Sequence, residues 1–245
     1  MITGVAFCPQ PPLLVPEVAS GAAAELDALR DACRAAISAV AAGRQLVLLG
    51  AGPRSQAHSP LARGTLAGFG VPGEIHLGAP TCGGDLELPP ALTVGAWLVR
   101  DALGPRSGAR GFSVGPDFAA SPAAVELLTL AETTDVALLV LGDGSARRST
   151  TAPGYLDERA AGFDASVADA LRSGEGRRLE KLDGELAGEL LAAGVPAWHA
   201  TAAVLPEQIY SARLSYDQAP YGVGYFVATW TLPGAQPAPA AAPSR

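Results

Sequence analysis

Val136-Ala137-Leu138-Leu139-Val140-Leu141-Gly142-Asp143-Gly144-Ser145-Ala146-Arg147-Arg148 is the stretch that decides the fold. An unbroken apolar run of strand length implies a strand buried on both faces, as in a parallel sheet. The glycines that follow free the backbone to present Asp143 and Ser145 in a tight polar loop. In open α/β sheets, loops at the carboxyl ends of strands are where ligands bind. Asp143 is suited to orienting a ligand hydroxyl or accepting a proton, and Ser145 to donating through its hydroxyl. The spacing fits equally well a turn in which Asp143 caps nearby amides. Arg147 and Arg148 add two cations suited to a carboxylate or phosphate, or to pairing with the chain's 24 acidic residues.

Outward from this loop the pattern alternates strand and helix. Residues 2–7 read as an opening strand, stopped by Pro9, Pro11 and Pro12, which force a stiff extended loop. Ser20 reads as an N-cap, and Leu26, Leu29, Cys33, Ile37 and Val40 recur at helical spacing up to Gly43. Residues 45–49 form a second strand that runs into Gly50-Ala51-Gly52-Pro53. The segment 54–90 is rich in Gly and Pro and too long for a plain connection, so either short strands near residues 74–77 or a loop covering the site is expected.

A helix is expected over 91–103, with Leu92, Trp97 and Leu98 inward, then a short strand at 111–114. Ser121-Pro122 opens a helix that should bury Val125, Leu128 and Ala131. Asp157 starts another with Phe163, Val167 and Leu171 inward. Leu179, Leu182, Leu186 and Leu190 mark the next, ended by Gly194. Residues 212–216 and 223–230 form an antiparallel hairpin. The fold class is α/β: a single-domain, three-layer α/β/α arrangement with a central, mostly parallel (mixed) sheet and a C-terminal antiparallel hairpin.

A hydrophobic fraction of 49% is ample for a core. The net charge of -7 argues against a general nucleic-acid binder, because phosphate neutralisation needs clustered Lys and Arg. No uncharged apolar run approaches the roughly 18 residues that cross a membrane. The start of the chain lacks a basic n-region, and Cys8, Cys33 and Cys82 form no CxxC pair. The expectation is a reduced, cytoplasmic protein without a membrane partner. No P-loop, GxSxG elbow or strand-borne GxGxxG occurs.

These elements, in this order, resemble the class III extradiol ring-cleavage dioxygenase family, subunit-B-like, which is related to the Memo-like proteins. The resemblance rests on the proline-rich loop from Cys8 to Leu14, the Gly142-Asp143-Gly144-Ser145 loop, and the Ala219-Pro220-Tyr221-Gly222-Val223-Gly224-Tyr225-Phe226 ending. It implies a domain over residues 1–233, a scaffold compatible with a homodimer, and a small-molecule ligand. It also implies Fe(II) held by two histidines and a carboxylate, with a further histidine as acid/base.

This chain departs from that pattern. Gln10 stands at the first ligand position, Gly52 lies where the second would fall, and Ala146 replaces the acid/base histidine. The remaining metal candidates are His58 and Glu189, with Asp183 and Glu185 as alternatives to the latter; His76 and His199 read as structural. The implied pocket is lined by Gln10, Gly52, His58, Asp143 and Ser145, with Arg147 and Arg148 nearby. The Cα atoms of Gln10, Gly52 and Asp143 should fall within roughly 15 Å of one another, the scale of a small-molecule pocket. Two readings follow: an extradiol dioxygenase-like protein that keeps the pocket without iron-dependent ring cleavage, or an active non-haem oxidoreductase acting on a small aromatic substrate through His58 and a carboxylate.

Residues 234–245 are Pro/Ala-rich and carry too few large apolar groups to offset an ordering entropy of roughly 1–2 kcal/mol per residue. Deleting them should leave the melting temperature nearly unchanged in a thermal denaturation scan, and a drop of several degrees would show that they dock.

Overall fold

The computed structural model describes residues 1–78 and 87–233, so Cys82 and the segment 234–245 lie outside the described residues. Nine strands are described: β1 (Ile2–Cys8), β2 (Gln45–Ala51), β3 (Gln56–His58), β4 (Arg63–Leu66), β5 (Val71–His76), β6 (Arg110–Val114), β7 (Val136–Leu141), β8 (Ser211–Gln218) and β9 (Tyr225–Thr231). The helices are α1 (Pro16–Ala19), α2 (Asp27–Ala41), α3 (Pro90–Leu103), α4 (Pro122–Thr133), α5 (Arg159–Ser173), α6 (Gly176–Glu180), α7 (Gly184–Glu189) and α8 (Val195–Val204). Seven strands form one sheet in the order β3-β6-β2-β7-β1-β9-β8, and β4 pairs with β5 apart from it.

The four central strands are parallel. β3 joins one edge antiparallel to β6, and the β8–β9 hairpin closes the other edge antiparallel to β1. Every residue of β7 is buried, as its apolar run required. Alternation along the strands divides the core into two layers. Ala6, Leu46, Leu48 and Leu139 pack with the Leu26, Leu29, Cys33 and Ile37 stripe of α2 and with α3. Phe7, Leu49, Leu138 and Val140 pack on the opposite face with Leu127, Phe163, Val167, Leu171 and Trp198. The result is the expected three-layer arrangement.

The structure corrects several local expectations. Ser20 is not the N-cap of α2: it lies at φ 50° after α1, and its hydroxyl donates to the Glu17 carbonyl. Ser121 does cap α4 by accepting from the Ala124 amide. The inward stripe of α4 is Ala124, Leu127 and Ala131, whereas Val125 and Leu128 are 63% and 43% exposed. The leucine series 179–190 is not one helix. Asp183 accepts from the Glu185 and Leu186 amides and restarts the chain as α7. Gly194 opens α8 rather than closing a helix.

Gly142 and Gly144 are not at positive φ, so conformational freedom is not what they supply. They permit close approach. A Cβ on Gly142 would lie 2.4 Å from the Gly194 Cα, and one on Gly144 2.7 Å from an Asp164 oxygen. Gly142→Ala should therefore destabilise the fold by about 1–3 kcal/mol, the cost of overpacking against backbone that cannot yield. The measurement is the midpoint of urea unfolding, and an unchanged midpoint would contradict the packing argument.

Candidate functional site

Register places the site. Cys8 pairs with Leu141, and Leu141 pairs with Gly50. Each of these residues is two positions before Gln10, Asp143 and Gly52 respectively. The three residues therefore follow one row across three neighbouring parallel strands, on the carboxyl edge of the sheet. Two strand spacings separate the outer pair, about 10 Å.

Gln10 and Asp143 touch directly: the Gln10 amide donates to Asp143 Oδ1 at 2.9 Å. The Gln10 side-chain Oε1 is buried with no hydrogen-bond partner among the described residues. Enclosure of the Asp143 carboxyl pushes its pKa up to about 7, with the Gln10 amide opposing that rise. Burial also raises the pKa of Tyr225, and the neighbouring Asp143 charge raises it further. Gln10, Asp143 and Tyr225 thus form a small polar cluster whose central carboxyl exchanges its proton near neutrality.

Ser145 is placed differently from its expected pocket role. It is fully buried and points into the protein, where its amide and hydroxyl donate to the two oxygens of Asp164 at 2.8 and 2.9 Å. Arg148 completes the group by donating to Asp164 at 2.9 Å. Ser145 and Arg148 therefore hold the loop rather than face a ligand. Arg147 is half-buried, and its Nε has no partner among the described residues. The Ala146 amide donates to Leu190 and its carbonyl accepts from Gly154, so position 146 is a main-chain anchor.

His58 lies on β3, three strands from β7, and does not join the Gln10–Asp143 pair. It is buried, with Nε2 3.1 Å from Ser113 Oγ and Nδ1 3.6 Å from Glu87 Oε1. The Ser113 hydroxyl donates to the Arg54 carbonyl at 2.8 Å. That hydrogen is thereby committed, so the serine is not a nucleophile activated by His58. Burial lowers the His58 pKa, while Glu87 opposes the shift. Gly52 abuts the same serine: a Cβ there would lie 2.6 Å from Ser113 Cβ. Gly52 is thus fixed by packing, and a histidine cannot enter position 52 without displacing β6.

Glu189 is half-exposed and paired with Arg159 at 2.6 Å, which is also bound to Asp157. It does not meet His58. Among the described residues, no three His, Cys, Asp or Glu side chains group as a metal site. The donor set that the family resemblance implies for Fe(II) does not fit: an amide at 10, a sterically closed glycine at 52, and a carboxylate held by arginine.

Asp164 and Tyr225 were not singled out in the sequence as site residues. Asp164 carried a signal, since it falls on the inward stripe of α5 between Ala160 and Val167, where a carboxylate must be partnered. Tyr225 carried none beyond its place at the start of a buried strand.

No protein-family model matches the chain, and no curated protein matches it either. Among solved structures it is similar to the crystal structure of an uncharacterized protein, JW3007, from Escherichia coli K12. The TM-score is 0.54 at 12% identity, over 94% of this chain and 99% of that one. At that identity the likeness concerns the fold.

A raised carboxyl pKa has a definite sign in stability. Between the unfolded value near 3.9 and about 7, the folded state keeps a proton that the unfolded chain has lost. The stability associated with the protonated Asp143 is therefore present at low pH and lost as pH rises through 7. Asp143→Asn should stabilise the protein at pH 8 by on the order of 1–2 kcal/mol, with the gain vanishing near pH 4. Denaturant melts across that pH range check this, and a pH-independent difference would contradict it.

Proposed function

We propose that this chain is an extradiol dioxygenase-like protein that binds a small polar molecule at the carboxyl edge of its sheet and does not cleave rings. The observation that carries the reading is the Gln10–Asp143 contact, on the same row as Gly52, with the Asp143 carboxyl titrating near pH 7. A carboxyl of that pKa accepts a hydrogen bond from a ligand hydroxyl when ionised and donates one when protonated. The Gln10 side-chain oxygen adds an unfilled acceptor beside it. The family resemblance favours a small aromatic or hydroxylated compound, while the residues at 10, 52 and 146 argue against iron-dependent ring opening. Losing a ligand from a three-residue site removes more affinity than outer-shell changes, which alone cost roughly 10–100-fold.

The rival reading, an active non-haem oxidoreductase, draws on His58 and Glu87, a histidine–carboxylate pair at 3.6 Å. One experiment separates the two. Protein loaded anaerobically with Fe(II) is given catechol and oxygen, and oxygen uptake is followed alongside NMR titration of catechol into metal-free protein. The expected result is no ring-opened product, with catechol shifting the Gln10 and Asp143 signals and Asp143→Asn weakening that response. Turnover abolished by His58→Ala would overturn the proposal in favour of the enzyme.

A further inference from the structure

A cavity opens on the same edge of the sheet, beyond the row that holds Gln10 and Asp143. It encloses about 650 Å³ between the ends of β2 and β6 and the helices α7 and α8. Its wall includes Ala51, Val114, Phe118, Ala187, Val195 and His199, and among the described residues no Asp, Glu, Lys or Arg lines it. The volume is that of a small-molecule site rather than a packing void. An uncharged lining excludes phosphate- and carboxylate-bearing ligands, which need cations or converging donors to offset desolvation.

Two further observations bear on the occupant. His199 Nε2 lies 3.0 Å from the Leu182 carbonyl. A carbonyl only accepts, so Nε2 carries the hydrogen and Nδ1 of the neutral ring is an acceptor. Nδ1 makes no hydrogen bond among the described residues. Gly188, also on the wall, sits in α7 where glycine weakens a helix. It is not at positive φ, and a Cβ there would meet nothing within 4 Å. A larger side chain at 188 therefore has open space to occupy beside the cavity wall.

We propose that this cavity is a binding site for a neutral, largely apolar molecule of ring size bearing one hydrogen-bond donor, which His199 Nδ1 accepts. It is separate from the Gln10–Asp143 cluster and needs no metal. The α8 wall is tied to that cluster through the main chain, since the Gly194 amide at the start of α8 donates to the Asp143 carbonyl at 2.8 Å.

The test uses cyclohexanol as probe and methoxycyclohexane, which cannot donate, as its control. Titration of the full chain is followed by NMR. Saturable shifts are expected at Ala51, Ala187, Val195 and the His199 ring, with Gln10 and the Asp143 side chain unmoved. The ether should bind about 2–10-fold more weakly, the worth of one neutral hydrogen bond. Gly188→Leu fills the mouth from a position that favours helix, and should abolish the shifts in a protein with wild-type melting behaviour. Ala119→Trp, on the exposed rim, provides a second block. Wild-type binding in both folded variants, equal binding of alcohol and ether, or no saturable shift at the cavity would overturn the proposal. None of these results bears on catechol binding at Asp143, so the two readings fail independently.

Discussion

The buried carboxylate of Asp164 is the interaction on which the carboxyl edge depends. It projects from α5 at 2% exposure and accepts from the Ser145 amide, the Ser145 hydroxyl and Arg148. A carboxylate so placed is tolerable only when its lone pairs are filled and its charge is met. Here three donors, one of them a guanidinium, meet the carboxylate, and all come from the loop after the central strand. The same point gathers the chain's end. The Gly144 amide donates to Gly224, the Gly224 amide to Ser145, and the Arg148 amide to Gly222. The approach is close enough that a Cβ on Gly224 would lie 2.4 Å from an Asp164 oxygen. The mid-chain loop that Asp164 holds is thus bonded through its backbone to residues 222–224, and Tyr225 enters its strand beside Asp143.

That arrangement explains what was legible in the sequence. The strand 136–141 and the loop after it announced a parallel sheet with a loaded carboxyl edge, because a fully apolar run has no other comfortable place. The row of Gln10, Gly52 and Asp143 was an expectation of the family resemblance, and its physical basis is that parallel neighbours in register end together. The glycines of the loop were legible as necessary but not for their reason. A pattern shows where a side chain is missing; only packing shows whether backbone angle or a neighbouring backbone forbids it.

The less legible parts have physical causes too. The α4 phase slipped by one residue because Val125 and Leu128 are as apolar as the Leu127 that is buried, so hydropathy could not rank the faces. Helix α8 is apolar nearly all round and buries Val195, Ala197, Trp198, Ala200 and Val204, so it has no polar face to reveal its period. The break at Asp183 is a side-chain cap inside a leucine series whose spacing would continue unbroken. His58 was visible as a histidine in a loop-like segment, but its burial depends on β3 adding to β6, a contact across more than fifty residues. None of these has a local signature.

Asp143, in the loop after β7, and Asp164, on α5, lie at one edge of the sheet and differ in how fully they are met. Asp164 receives three donors, one of them a guanidinium, and functions as structure. Among the described residues Asp143 receives a single backbone amide, beside a tyrosine and an unfilled glutamine oxygen. A fold that can supply Asp164 with every partner has left Asp143 short of them, and the consequence is a carboxyl displaced from its ordinary range to about 7. An under-partnered carboxyl in such surroundings costs stability. The structural carboxylate holds the loop rigid, and rigidity keeps the second carboxyl from relaxing into solvent.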